Sequence, residues 1–145
     1  MAYKGKYKPK NPQKYKGNPE NIIYRSLWER KVMVWLDKSP NIVWWTSEEL
    51  AITYFNPVDK NLHKYYPDFV FLQKTNEKDT KTVMLEVKPK KQTKPPRKSS
   101  KKSNSTYLEE LGTYAKNTSK WEAAKSFCKA RGWDFKIITE KDVNF

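Results

Sequence analysis

Four residues in this chain have the types and spacing for chemistry: Glu29, Asp68, Glu86 and Lys88. Asp68 follows Pro67 and leads into the apolar run FVFL, while Glu86 and Lys88 sit two apart at the end of VMLEVK. Alternate residues of a strand share a face, so Met84, Glu86 and Lys88 point one way and Val83, Leu85 and Val87 the other. The expectation is one core face and one face where opposite charges meet at a strand end. If 68–72 and 83–88 pair as a hairpin, Asp68 and Glu86 lie at the ends of neighbouring strands, about 4.8 Å apart.

Two carboxylates with a backbone carbonyl, for which Val87 is the natural donor, are a normal oxygen set for Mg²⁺, with Mn²⁺ as a substitute. Such an ion makes water nucleophilic and neutralises charge on a phosphate undergoing hydrolysis. Lys88 adds a cationic donor to the scissile phosphate or, with a lowered pKa, a base; both roles stay open. Glu29 falls at the edge of the apolar stripe of a helix predicted over 24–37, and is a further candidate ligand for the metal or for a water-bridged second ion. Plainer readings fit each residue singly. Asp68 after proline is turn-forming, Glu86 and Lys88 fit a solvated ion pair, and Ser26 with Glu29 fits a capping box.

The elements that must position these groups are legible as periods. NIVWW, LAITYF, YYPDFVFL and TVMLEVK read as extended segments, and FNPVDKN and QKTNEKDTK as the turns between them. STYLEELGTYAKN and SKWEAAKSFCKARG read as helices broken near 117–119, the second capped by Ser119 with Glu122 and stopped by Gly132. WDFKIIT alternates as a final strand. Helix, strands, basic loop, helix and strand make a mixed α/β single domain over 20–145.

The formal charge of +14 sits almost wholly in two segments. Residues 1–19 carry six Lys, and residues 89–105 carry Lys90, Lys91, Lys94, Arg97, Lys98, Lys101 and Lys102, with no acid in either; the remainder is near neutral. That is the footprint of a polyanion partner. Residues 1–19 read as an irregular basic arm ordered on binding, in which Tyr3, Tyr7 and Tyr15 either stack on nucleotides or anchor the arm. The basic runs lack an amphipathic helical pattern and no segment suits a membrane span, so nucleic acid leads over membrane. Cys128 and His63 are each the sole residue of their kind. The lone cysteine excludes a disulfide framework and a Cys-based zinc site, and the single histidine argues against a serine triad, an HNH-type nuclease and a His-rich metal site. Cys128 reads as core and His63 as a loop side chain.

Pro67–Asp68 followed by Glu86-Val87-Lys88, with SLWE at 26–29, resembles the PD-(D/E)XK nuclease superfamily. MAYKGKYKPKN at the start, YRSLWE (24–29), WLD (35–37), KPKKQTKPP (88–96), NTSKWEAA (117–124) and RG (131–132) resemble the head completion nucleases of T-even-type tailed phages, over nearly the whole chain. A more distant similarity is to the endonuclease subunit of heteromeric transposases. The resemblance implies a restriction-endonuclease-like fold and Mg²⁺-dependent cleavage of double-stranded DNA during virion assembly, after packaging, when the head is prepared for joining its tail, with the host cytoplasm or else the virion as the location. It further implies head, portal or neck proteins as partners, and Glu29, Asp68, Glu86 and Lys88 as the active site. A basic residue from the later helix is also implied, with Lys120 and Lys125 competing. Low sequence specificity is expected, because nothing reads as a recognition helix. The rival readings are a non-catalytic DNA-binding assembly protein on the same fold and a basic RNA-binding protein of ribosomal type.

Overall fold

A computed structural model describes residues 4–142 of the chain. Two short strands, β1 (Gly5–Lys6) and β2 (Ile23–Tyr24), pair with each other and precede helix α1 (Leu27–Lys38). Then follow β3 (Ile42–Ser47), β4 (Ile52–Asn56), β5 (Asn61–Tyr65), β6 (Phe69–Lys74), β7 (Thr80–Val87), helix α2 (Asn104–Arg131) and β8 (Asp134–Ile138). The central sheet has the order β3-β6-β7-β8, with the first two pairings antiparallel and β7–β8 parallel. The parallel step requires a crossover, which α2 supplies. β4 and β5 form a separate two-stranded ribbon that leans on α2. The architecture is the mixed α/β domain expected, consistent with a restriction-endonuclease-like fold.

Both faces of the sheet are covered, so β7 does not split into a core face and an open one. Val83, Leu85 and Val87 join Phe69, Phe71 and Trp45 against Val32, Met33 and Leu36 of α1. On the other face Val70 and Met84 pack with Ala124 and Cys128 of α2 and with Ile52, Tyr54 and Tyr65 of the ribbon. Period-2 alternation therefore holds, but Met84 is fully buried beneath α2, and a site can open only beyond the helix's cover. Cys128 is a core residue, its Sγ 3.7 Å from Met84 Sδ. His63 belongs to strand β5, not to a loop, and pairs with Asp59 at 2.6 Å. Sequence alternation is faint in NLHKY because only Tyr65 of the five is buried.

α1 begins at Leu27, not at residue 24, because Ser26 caps it: its hydroxyl accepts from the Glu29 N–H at 3.2 Å. The expected break at 117–119 is absent, and α2 runs unbroken for 28 residues from its N-cap Ser103. Asn117, Trp121, Ala124 and Cys128 are its buried positions, one helical stripe against the sheet and ribbon. Thr118 bonds the Tyr114 carbonyl at 2.8 Å, so these weak helix formers are absorbed by packing. Gly132 does end the helix, in the left-handed region at φ 71°.

The basic arm is docked. Tyr7 donates from its buried hydroxyl to Asp37 Oδ2 at 2.7 Å, and the Lys10 and Asn11 amides complete that carboxylate's bonding. Tyr15 lies edge-on to the buried Trp45, with ring centroids 4.7 Å apart. Its hydroxyl accepts from the Ser47 amide and faces the Ser47 carbonyl and the Glu49 carboxylate, all at 3.2 Å. Lys14 binds the Asp37 and Ser39 carbonyls, and Lys16 sits 4.5 Å above the Trp44 ring. Tyr7 and Tyr15 are anchors, then, and two of the arm's cations are used in fastening it; Tyr3 lies outside the described residues. Asp37 is fully buried, and removing it orphans several donors at once. Asp37→Ala is expected to lower unfolding free energy by about 3 kcal/mol, and Tyr7→Phe by about 1 kcal/mol, in urea titrations followed by tryptophan fluorescence.

Candidate active site

The β6–β7 register brings the two principal acids together. Phe69 pairs with Leu85, and the next step along the ladder sets Asp68 beside Glu86. Each carboxylate is held by the other strand's backbone. Asp68 Oδ2 accepts from the Val87 amide at 2.8 Å, and Glu86 Oε1 accepts from the Asp68 amide at 3.3 Å. Glu86 is only 3% exposed and Asp68 is half-buried. Burial, then the charges of Glu86 and Glu29, pushes the Asp68 carboxyl well above its usual range, against the lowering effect of the Val87 hydrogen bond. Among the described residues neither acid has a salt-bridge partner.

Lys88 follows Glu86 on the same face of the strand, its amide donating to the Ile138 carbonyl at 2.9 Å. Of the two later-helix lysines, Lys120 is the one turned to the site. It lies over the rings of Tyr65 and Tyr54, at 5.6 and 5.7 Å. Burial first, then Lys116 and Lys88, lowers its pKa, while Glu86 and Asp68 oppose that shift. Lys125 instead pairs with exposed Glu122 at 3.4 Å. The Tyr65 hydroxyl is buried next to Glu86 and finds no well-aligned hydrogen-bond partner among the described residues; burial and the Glu86 charge raise its pKa far above the usual value.

Glu29 is committed locally. Its carboxylate accepts from the Arg25 amide at 2.6 Å while its own amide is capped by Ser26, a close variant of the capping box. Burial raises its pKa, and Glu48 and Glu86 add to that, so it still feels the acid cluster. Sequence reasoning missed Glu48. It lies one residue past β3, donates its amide to the Asp68 carbonyl at 3.2 Å, and takes φ 54°. A left-handed Glu costs about 1–2 kcal/mol, and no sequence period announces it. Three neighbouring strand ends thus carry Glu48, Asp68 and Glu86.

Among the described residues no three His, Cys, Asp or Glu side chains converge into a ready-made metal cage. The donor set nonetheless fits a hard cation. Two unpaired carboxylates face one another, and the Val87 carbonyl lies on the same edge of β7 as its amide, which meets Asp68. Mg²⁺ keeps several waters and asks for few protein oxygens.

The basic segment is partly structured. A 3₁₀ turn at Lys90–Thr93 is tied by the Lys90 amide to Glu140 at 2.9 Å. Lys102 pairs with Glu110 at 2.8 Å and Lys98 bonds Asn104 at 2.6 Å, so these two fasten the segment to the start of α2. Lys91, Lys94 and Arg97 line a groove of about 660 Å³ between the segment and α2, opposite Glu109 and Tyr114. Lys90 is crowded by Lys141 and Lys94, which lower its pKa.

The model of the TnsA-like endonuclease N-terminal domain matches residues 39–140. That span holds Asp68, Glu86, Lys88 and Lys120 but not Glu29. The head completion nuclease of Enterobacteria phage T4 is 39% identical over 143 residues, covering 97% of this chain and 93% of that protein.

An acid whose folded-state pKa is raised binds its proton more tightly in the folded chain, so stability falls as pH climbs from the unfolded carboxylate range through the folded value. Ionising Asp68 beside Glu86 is therefore a cost to the fold. Asp68→Asn, which keeps an acceptor for the Val87 amide, is expected to stabilise the protein by about 1 kcal/mol in chelator at pH 7. Added Mg²⁺ is expected to raise the melting temperature of the native chain and not of the variant, in calorimetric scans.

Proposed function

The chain belongs to the TnsA-like endonuclease N-terminal family, and from that premise we propose that it is a nuclease hydrolysing phosphodiester bonds of double-stranded DNA with the help of Mg²⁺. The observation that carries this reading is the mutual clasp of Asp68 and Glu86: two carboxylates brought together across β6 and β7, with no salt-bridge partner for either among the described residues. Such a pair is costly unless a cation completes it. Asp68, Glu86 and the Val87 carbonyl would hold the ion, which supplies an activated water and charge neutralisation at phosphorus.

The chain's own side chains divide the remaining work. Lys88 and Lys120 offer ammonium donors on the α2 side of the acids, where the non-bridging oxygens of a scissile phosphate gain negative charge. The rings of Tyr54 and Tyr65 lie beneath the Lys120 amine and help to place it. Desolvation by α2 and the ribbon strengthens these charge contacts. Glu29 orders the entry to α1 and adds negative potential, holding the Arg25 backbone in place. Lys90, Lys91, Lys94 and Arg97 meet flanking phosphates, which positions the duplex without reading its sequence.

The T4 relative is a head completion nuclease. For this chain we propose a step in which it trims packaged DNA inside the host cell before the head joins its tail, in contact with head or neck proteins.

Supercoiled plasmid incubated with Mg²⁺, with and without chelator, tests the reading. The native chain is expected to cut only with the metal, and Asp68→Ala, Glu86→Ala and Lys88→Ala to cut at least about 100-fold more slowly. Equal cutting by the acid variants removes the assignment. Metal-independent binding with no cutting by any form makes the chain a DNA-binding assembly protein. Removing Lys91, Lys94 and Arg97 together is expected to flatten the log–log dependence of DNA affinity on salt by about 2–3, near 0.9 per lost contact.

A further inference from the structure

Arg25 and Glu48 form a clasp at the rim of the acid cluster. Arg25 Nε donates to Glu48 Oε1 at 2.9 Å and Nη2 to Oε2 at 3.2 Å, a two-pronged guanidinium–carboxylate pair. Exposed ion pairs of this kind contribute little to stability. Here, however, the carboxylate sits on a backbone held at φ 54°, where glycine would cost less. Among the described residues the other non-glycine with a left-handed backbone is Lys60, in the β4–β5 hairpin turn, which asks for that conformation. No hairpin explains Glu48.

The surroundings hold Glu48 in place from three directions. Tyr15 grips Ser47 just before it, Tyr15 also faces Glu49 just after it, and its own amide extends the β3–β6 ladder to the Asp68 carbonyl. Arg25 is fixed at its other end, since its amide donates to Glu29. The guanidinium is therefore aimed, not free, and its side chain is still 53% exposed. A guanidinium carries five N–H donors, and Glu48 occupies two. The remaining edge is planar, permanently charged and open to solvent, which is the geometry that recognises a phosphate diester.

We propose that Arg25 is a phosphate ligand on the rim of the site and that Glu48 is its positioning residue. The inference rests on the nuclease reading above and extends it: the ligand is a backbone phosphate of the bound duplex, beside the scissile one. Its electrostatic logic is specific to this place. Glu29, Glu48, Asp68 and Glu86 repel an approaching strand, and Lys88 and Lys120 stand on the α2 side. Arg25 supplies the cation at the α1 entrance, where the acids Glu48, Glu29 and Asp68 all attract it. A second phosphate held there fixes the strand at two points, and the scissile bond between them loses its freedom to slide.

The test uses the full-length chain. Affinity for a short duplex is measured in chelator between about 50 and 200 mM salt, alongside steady-state cleavage with Mg²⁺ and thermal melts. Arg25→Ala is expected to lower the magnitude of the log–log salt slope by about 0.9, one phosphate contact, and to raise KM about tenfold with kcat changed less than threefold. Arg25→Lys is expected to keep the slope and recover only part of KM, because charge remains and the planar edge does not. Glu48→Gln is expected to keep the slope and raise KM about threefold, as the guanidinium loses its aim. An unchanged slope in Arg25→Ala, with Lys94→Ala lowering it in parallel, overturns the proposal. So does a loss of melting temperature and kcat with KM intact, which marks a structural clasp. Because the slope is read without cleavage, a native chain that binds but does not cut sinks the nuclease reading while the Arg25 contact stands or falls separately.

Discussion

Two acids, Glu86 buried and Asp68 half-buried, are each held by a backbone amide of the other's strand. Asp68 leans on the Val87 amide and Glu86 on the Asp68 amide, so the carboxylates cannot separate without breaking the β6–β7 ladder. Ordinary folding avoids such a pair, since burial and like charge both disfavour the ionised forms. The rest of the fold is arranged so that it persists. Its two apolar cores, one under α1 and one under α2, clamp the sheet from both faces and fix the register on which the clasp depends.

That clamping has an unexpected contributor in the N-terminal segment. Its charge suggests a polyanion-binding arm, yet its aromatic residues make it a strap. Tyr7 docks on the last turn of α1 through Asp37, and Tyr15 docks on the end of β3 through Trp45 and Ser47. The strap thereby steadies both elements that bring charge to the rim of the site, α1 with Glu29 and β3 with Glu48. Lysines of the same segment are divided between fastening and solvent. A positive run can serve structure and partner at once, because the stem of a lysine packs while its amine finds carbonyls or an aromatic face.

The long helix α2 plays the complementary part on the other face. A break at 117–119 would have shortened it to two pieces with independent directions. As one rod it bridges the basic segment at its start and Gly132 at its end, and it carries Lys120 over the ribbon tyrosines to the acids. The ribbon itself is what makes this face more than a helix on a sheet: Tyr54 and Tyr65 form the floor on which the amine rests.

Local patterns were enough for the sequence to reveal β7 and its alternation, the pairing of 68–72 with 83–88, the Ser26 cap, the Gly132 stop and the concentration of charge in two segments. Each depends on residues within a turn or a strand's length of one another, where period and cap chemistry act directly. Glu48 beside Asp68, Arg25 across from Glu48, Lys120 in preference to Lys125, the burial of Met84 and the docking of Tyr7 and Tyr15 were decided only by tertiary structure. They arise from strand order and from which face each helix covers, long-range choices that leave no mark on neighbouring residues. The same is true of α2's continuity, where packing of Asn117, Trp121 and Ala124 overrode weak local preference. Sequence alone singled out Glu29, Asp68, Glu86 and Lys88 as candidates for the chemistry; only the fold decided which further charges stand around them.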